Sequence, residues 1–170
     1  RKPANERSLR VEGQYGNYDR IQFNVRGNVP ISDQLYLAVG GSLKKRDGYE
    51  FNQTTGNDVN NQDLKTATVA LRYVPSDDLD VILAADFTDQ DQKGNPRKNI
   101  CDATLRGGVH CAGLSPDPRV VNAYTDGYLR RWLQTYRGEI NYTTSIGTLT
   151  SITAYRAVTL NFRTPFFANP

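Results

Sequence analysis

The sequence predicts an all-β chain, an antiparallel sheet that forms part of a membrane-spanning barrel. Three observations carry that expectation: polarity alternates with period 2 along most of the chain, the alternating runs are long, and their connections differ in length. Period 2 places successive side chains on opposite faces of a strand, where a helix would repeat every 3.6 residues. Ordinary globular strands centre on about 5–6 residues, whereas strands crossing a bilayer at a tilt need about 9–11. Nearly all the runs here fall in the longer class.

The elements follow in order. Leu9, Val11, Gly13 and Tyr15 alternate with Arg10, Glu12 and Gln14, and after a tight GNYD turn Ile21, Phe23, Val25 and Val29 alternate with Arg20, Gln22, Asn24, Arg26 and Asn28. VPISDQ (29–34) supplies Pro, Ser and Asp for a short turn. Residues 35–44 alternate again, the polar stretch 52–63 reads as an exposed loop, and residues 64–74 return to strand. VPSDDLD (74–80) is a second short turn, followed by a strand over 79–88. Alternation then stops over 89–128, which holds clustered Pro and Gly and both cysteines; so long a loop is normally functional or disordered. Strands resume from Leu129, turn at SIGT (145–148), and end in a run over 149–163 of weaker polarity contrast. The result is seven strands with short turns on one rim and, apart from the short link at 16–19, long loops on the other, a pattern typical of outer-membrane barrels.

Composition narrows the alternatives. The net charge of +3 comes from 21 basic and 18 acidic residues dispersed along the chain, with no basic stripe to read nucleic acid. No run of about 18 apolar residues marks a transmembrane helix. The mean hydropathy of −0.61 is compatible with barrel strands, which turn only every second residue to lipid. Charge placement separates a barrel from a soluble sandwich. Arg10, Glu12, Gln22, Asn24, Arg26, Arg72, Asp86, Arg137 and Glu139 share one face. Each unpaired ion in a dry core costs several kcal/mol, whereas a wet lumen accepts them all. Tyr15, Tyr73, Phe87, Trp132 and Tyr142 lie on the other face near strand ends, as interfacial girdles require.

With the strands placed, RKPANE followed by SLRVEGQYGNYDRIQFNVRGNVPISDQLYLAVGGSLKKRDGYEFN, and then RYVPSDDLDV, resembles the start of the barrel of TonB-dependent outer-membrane receptors. The resemblance implies a plug-to-barrel linker over 1–7 and the N-terminal part of the barrel over 8–170. That part would be about seven strands of a 22-stranded barrel, with short periplasmic turns, longer extracellular loops and a long extracellular loop at about 89–128. It further implies a bacterial outer-membrane location and active import of a scarce, large ligand such as a ferric siderophore. The TonB–ExbB–ExbD complex would supply the energy through a plug, and outer-membrane lipid and lipopolysaccharide would surround the wall. No plug sequence is present, so the segment reads as part of a longer chain. The alternatives are a passive porin or adhesin barrel and a soluble β-sandwich binding module.

Several residues stand out within that frame. Cys101, Cys111 and the single histidine, His110, fall within CDATLRGGVHC. As a zinc site they offer three ligands where a structural site needs four, and a redox pair would show CxxC spacing. Outside the inner membrane the compartment is oxidising, so a Cys101–Cys111 disulfide is expected, contributing about 2.7 kcal/mol by chain entropy. Arg97, Lys98, Arg106, His110 and Arg119 form a basic excess around the long loop, a candidate contact for an anionic ligand or lipopolysaccharide phosphates; ordinary solvated loop charge is the plainer reading. Arg26, Arg72, Arg137 and Glu139 are expected to face the lumen and a plug. TDQDQKGN (88–95) imitates a calcium loop but carries Lys93 at a ligand position and lacks the closing glutamate. No GxSxG, HExxH or P-loop pattern occurs, so no enzyme and no cofactor are expected.

Overall fold

The computed structural model describes residues 2–94, 115 and 117–164. No helix occurs among them. The strands are β1 (Ser8–Gly16), β2 (Arg20–Ser32), β3 (Leu35–Arg46), β4 (Glu50–Asn52), β5 (Asn57–Val59), β6 (Gln62–Ser76), β7 (Leu79–Lys93), β8 (Val120–Val121), β9 (Tyr128–Thr144) and β10 (Gly147–Arg163). Seven of them form one sheet in the order β1-β2-β3-β6-β7-β9-β10, every neighbouring pair antiparallel. The other three make a small sheet, β5-β4-β8. The expected barrel wall is therefore present as an open sheet, with β1 and β10 at its edges.

Register explains which residues share a face. One row runs Arg10, Arg26, Gly40, Thr68, Asp86, Thr135, Arg156, and the next runs Ser8, Asn28, Ala38, Ala70, Ala84, Arg137, Ala154. The charged residues thus lie on one face, as their period required. The opposite face carries Leu9, Gly27, Val39, Val69, Ala85, Tyr136 and Tyr155 in a single row. Leu9 is 73% exposed, Leu83 56% and Tyr142 48%. A monomeric soluble protein rarely leaves so continuous an apolar surface uncovered. Fully buried side chains are few by contrast, so a soluble sandwich with a dry core does not describe this sheet.

The apolar band is as tall as a bilayer core requires. Along β9 it runs from Trp132 to Tyr142, about 33 Å along the strand. At the about 35–45° tilt of barrel strands this spans about 23–27 Å of membrane normal, close to the about 25 Å apolar height of outer-membrane barrels. Above it, Lys45, Lys65, Asp89 and Arg130 return the same face to polarity.

Turn chemistry sets the two rims. Three connections are two-residue turns, Asp33–Gln34, Asp77–Asp78 and Ser145–Ile146, all on the same rim. Pro30 and Pro75 have no N–H for the ladder, and each sits at a register shift beside one of these turns. The β1–β2 link, residues 17–19, lies on the opposite rim, with Tyr18 at φ 61 and Asp19 at φ 48. β7 runs on to Lys93 and β9 begins at Tyr128, so the long connection is shorter than the 89–128 read from polarity. The inner face is also less uniformly polar than expected. Ile152, Val158, Leu160 and Phe162 of β10 share it, opposite Glu139, Leu133, Arg131 and Leu129.

Candidate functional site

On the long-loop rim, β4, β5 and β8 tie the loop 47–61 to the segment 117–127. Asn52 is their hub and is fully buried. Its amide donates to Ala123 O and to Asp126 Oδ1, each at 3.0 Å, and its Oδ1 accepts from Ala123 N at 3.1 Å and Thr54 N at 3.2 Å. A side-chain amide has two donors and one carbonyl, so this asparagine is fully used. Backbone bonds from Phe51 N to Arg119 O (2.8 Å) and Gln53 N to Val121 O (2.9 Å) flank it. Gly48 lets the chain pass against β5, because a Cβ there would meet Val59 O at 2.5 Å.

Asp126 is the second centre of this layer. It accepts from Asn57 Nδ2 at 2.7 Å, from Thr55 Oγ1 and from Asn52. Burial pushes its carboxyl up, but the three hydrogen bonds and the nearby Lys93 charge outweigh burial and hold it below the usual aspartate range. A depressed folded value stabilises the layer above the unfolded pKa, and that contribution is lost as pH falls through the folded value. Acidification below the ordinary aspartate range is therefore expected to loosen residues 50–59 and 117–127. Hydrogen exchange at graded pH checks this, and Asp126→Asn should remove the pH dependence.

Arg119, one of the expected loop contacts, is placed at the mouth of this layer. Its Nη1 donates to Tyr18 Oη at 2.9 Å, and its Nε lies 3.8 Å from Asp117 Oδ1. The Tyr18 hydroxyl first, then the Asp117 charge, raises its pKa. Tyr18 packs against Tyr49 with ring centroids 6.1 Å apart, and the Arg46 guanidinium sits 4.5 Å over the Tyr49 ring. A tyrosine at positive φ is strained and persists only where its surroundings hold it, which these contacts do. Arg97, Lys98, Cys101, Arg106, His110 and Cys111 lie outside the described residues, and with them the expected disulfide.

The inner wall holds the other expected residues. Arg26 is opposite Arg10, and Arg10 pairs with Glu12. Arg137 follows Glu139 on the same face, and Glu139 Oε1 accepts from Asn141 Nδ2 at 3.1 Å. Neither Arg26 nor Arg137 has an ion-pair partner among the described residues. Arg72 is engaged within this chain. Its Nε and Nη2 grip Asp80 at 2.9 and 3.1 Å, its Nη1 donates to Pro3 O at 3.3 Å, and its guanidinium lies 5.7 Å over the Tyr36 ring.

The same contacts seat the chain that precedes β1. Lys2 pairs with Asp80, Pro3 is fully buried, and Asn28 accepts from Ala4 N at 3.0 Å while donating back to Ala4 O at 2.7 Å and to Glu6 O. Residues 2–7 thus form a strap across the inner face from β7 to β1, over a row in which Ala38, Ala70 and Ala84 leave room. Arg72→Ala is expected to free this strap by about 1–2 kcal/mol. Limited proteolysis cutting near Lys2 and Arg7 several-fold faster would register the change.

Sequence reasoning passed over the residues beneath the loop layer. Among the described residues, the buried side-chain polar atoms without a partner are Arg46 Nε, Glu50 Oε2, Gln90 Oε1 and Arg131 Nε. Arg46, Gln90 and Arg131 lie on the inner face in the two rows nearest the long-loop rim, and Glu50 stands four residues beyond Arg46. Parity along β3, β7 and β9 could have put the three on one face. Their lack of partners could not be read that way.

This arrangement matches the fold of one stretch of a solved uptake receptor. The crystal structure of the ferric yersiniabactin uptake receptor FyuA from Yersinia pestis superposes with a TM-score of 0.78 over 98% of this chain, at 20% sequence identity. The chain spans about a quarter of that receptor, 25% of its length. No protein-family model and no curated protein sequence matches it.

Proposed function

We propose that this chain is the N-terminal part of the barrel of a bacterial outer-membrane receptor that binds a scarce, large nutrient, a ferric siderophore or similar, and imports it with energy from the TonB–ExbB–ExbD complex. The observation that carries the reading is the strap. Residues 2–7 reach β1 by crossing the inner face of the wall, so a segment preceding them would enter from inside a barrel, where a plug would sit. A passive porin needs no such entry. The open edges at β1 and β10 would be paired by further strands, since long unpaired strand edges invite aggregation. The apolar outer face would meet lipid, with lipopolysaccharide above it. FyuA, described as an uptake receptor, supports the transport class.

The test is uptake of iron-55 ferric siderophores by cells carrying the full-length chain, with and without a functional TonB complex. Uptake that requires TonB is expected. Uptake indifferent to TonB, with steady ion conductance in planar bilayers, would replace this reading with a passive porin.

A further inference from the structure

The strap carries an inference about force, resting on the receptor reading above. Pro3 is suited to its place. A proline has no backbone N–H to satisfy, its φ is fixed, and it keeps the residue before it extended. Lys2–Pro3 is therefore a stiff piece of chain that can be buried without orphaning a donor. The carbonyl of Pro3 accepts from Arg72 Nη1 at 3.3 Å. The wall beneath is closed where the strap crosses. Among the described residues the buried apolar side chains fall in two groups. Val59, Val121 and Ala123 belong to the loop layer, whereas Tyr36, Ala70 and Ile82 lie on the inner face of β3, β6 and β7. Tyr36 and Ile82 flank Arg72 in one row, and Ala70 stands in the next.

The rest of the strap is fastened from one residue of β2. Asn28 accepts from Ala4 N at 3.0 Å and donates to Ala4 O at 2.7 Å and to Glu6 O. The same residue is the register partner of Ser8, where β1 begins. Lys2 and Arg72 both hold Asp80, which joins the start of the strap to β7. A pull from a segment preceding Lys2 therefore meets the Pro3 socket and the Asn28 clamp before it meets β1. That order matters mechanically. A strand drawn from its end loses its ladder bonds one after another, as chain ends fray. The strap puts an ion pair, a buried proline ring and three amide hydrogen bonds ahead of the first of those bonds.

We propose that residues 2–7 are a strain relief: they stay seated on the wall while a plug ahead of them moves under TonB. The pull then ends at Pro3 and Asn28, and β1 keeps its place in the wall. The exit end of the plug is thereby fixed, and the movement that admits ligand lies ahead of Lys2.

The experiment uses the full-length receptor in cells with and without a functional TonB complex. In Ala4→Cys/Asn28→Cys a disulfide replaces the Asn28 clamp, with Ala4→Cys alone as the control for other thiols. Oxidation should join the two thiols in the resting receptor, and TonB-dependent uptake of iron-55 ferric siderophores should stay at the native rate. Uptake that stops on oxidation and returns with reductant would overturn the proposal, because the strap would then have to lift. Thiols that fail to join would overturn it too. Arg72→Ala/Asn28→Ala loosens the strap and leaves the backbone ladder intact. With TonB present it should raise sensitivity to vancomycin several-fold, since a plug no longer held at its exit end is drawn aside and opens the lumen. Without TonB the same variant should be as resistant as the native chain, with an unchanged heat-modifiable gel shift. A leak of equal size in both strains would reduce these contacts to ordinary wall stability and overturn the proposal, as would no leak in either. Any of these results alongside TonB-dependent uptake by the native chain leaves the receptor reading standing. TonB-independent uptake with steady conductance removes both.

Discussion

Replacing Asn52 by alanine is expected to release the loop layer from the barrel wall. The substitution leaves the N–H and C=O of Ala123 and the N–H of Thr54 without their asparagine partner, while Asp126 Oδ1 keeps Thr55. Each buried group left unsatisfied costs about 1–3 kcal/mol, and partial rehydration at the rim reduces the sum to about 3 kcal/mol. Amide exchange at Phe51, Gln53 and Ala123 should then accelerate by about 100-fold, while the ladders of β3, β6 and β7 keep their protection. Asn52→Asp should be worse than alanine, since it sets a second carboxylate against Asp126. Equal protection in native and Asn52→Ala chains would mean that the backbone pairs at Phe51 and Gln53 hold the layer alone.

The second large effect lies on the other face. Leu83 is at the middle of the apolar band, in the row Val29, Leu37, Leu71, Leu83, Gly138, and is exposed to the surroundings. Leu83→Arg is expected to destabilise the folded barrel in lipid by about 2–4 kcal/mol, the cost of a cation at the bilayer midplane. Thr68→Arg, on the inner face beside Asp86, should cost under about 1 kcal/mol, since water and a carboxylate await it. Urea titrations of the full-length protein in vesicles, read by heat-modifiable gel shift, measure both. A Leu83→Arg variant as stable as Thr68→Arg would show that this face does not meet hydrocarbon. The contrast matters because residues 83 and 68 stand on neighbouring strands of one sheet and face its opposite sides.

The rim contacts put these two faces in one functional frame. The loop layer is fastened by neutral amide and hydroxyl bonds around Asn52, while Asp126 adds a charge that acid removes. Below it, Arg46 Nε and Arg131 Nε lie buried without a partner among the described residues.

Much of the wall was legible without coordinates. Period 2 assigned Arg26, Arg72, Arg137 and Glu139 to one face because a strand has no other way to place them. Turn segments at 29–34, 74–80 and 145–148 marked one rim, since such short links join antiparallel neighbours. The folded loop layer was not legible. NQTTGNDVNNQD is polar and irregular, and its short strands β4 and β5 exist because Asn52 finds Ala123 and Asp126, more than seventy positions away. Local pattern carries no record of such a partner.

Arg72 shows the same division at a single residue. Alternation made it inward-facing, and the resemblance suggested a plug as its partner; its acceptors in this chain are Asp80 and the carbonyl of Pro3. Arg46 shows it in reverse, an arginine at a strand end that composition passes over until the fold places it under a loop. The sequence by itself determined the strands, their faces and the apolar side of the sheet, because each follows from covalent geometry repeated along one chain. Only the tertiary structure decided the strap, the loop layer and the partners of each inward guanidinium group. Those depend on which distant groups meet, and hydrogen-bond satisfaction is a property of the assembled wall.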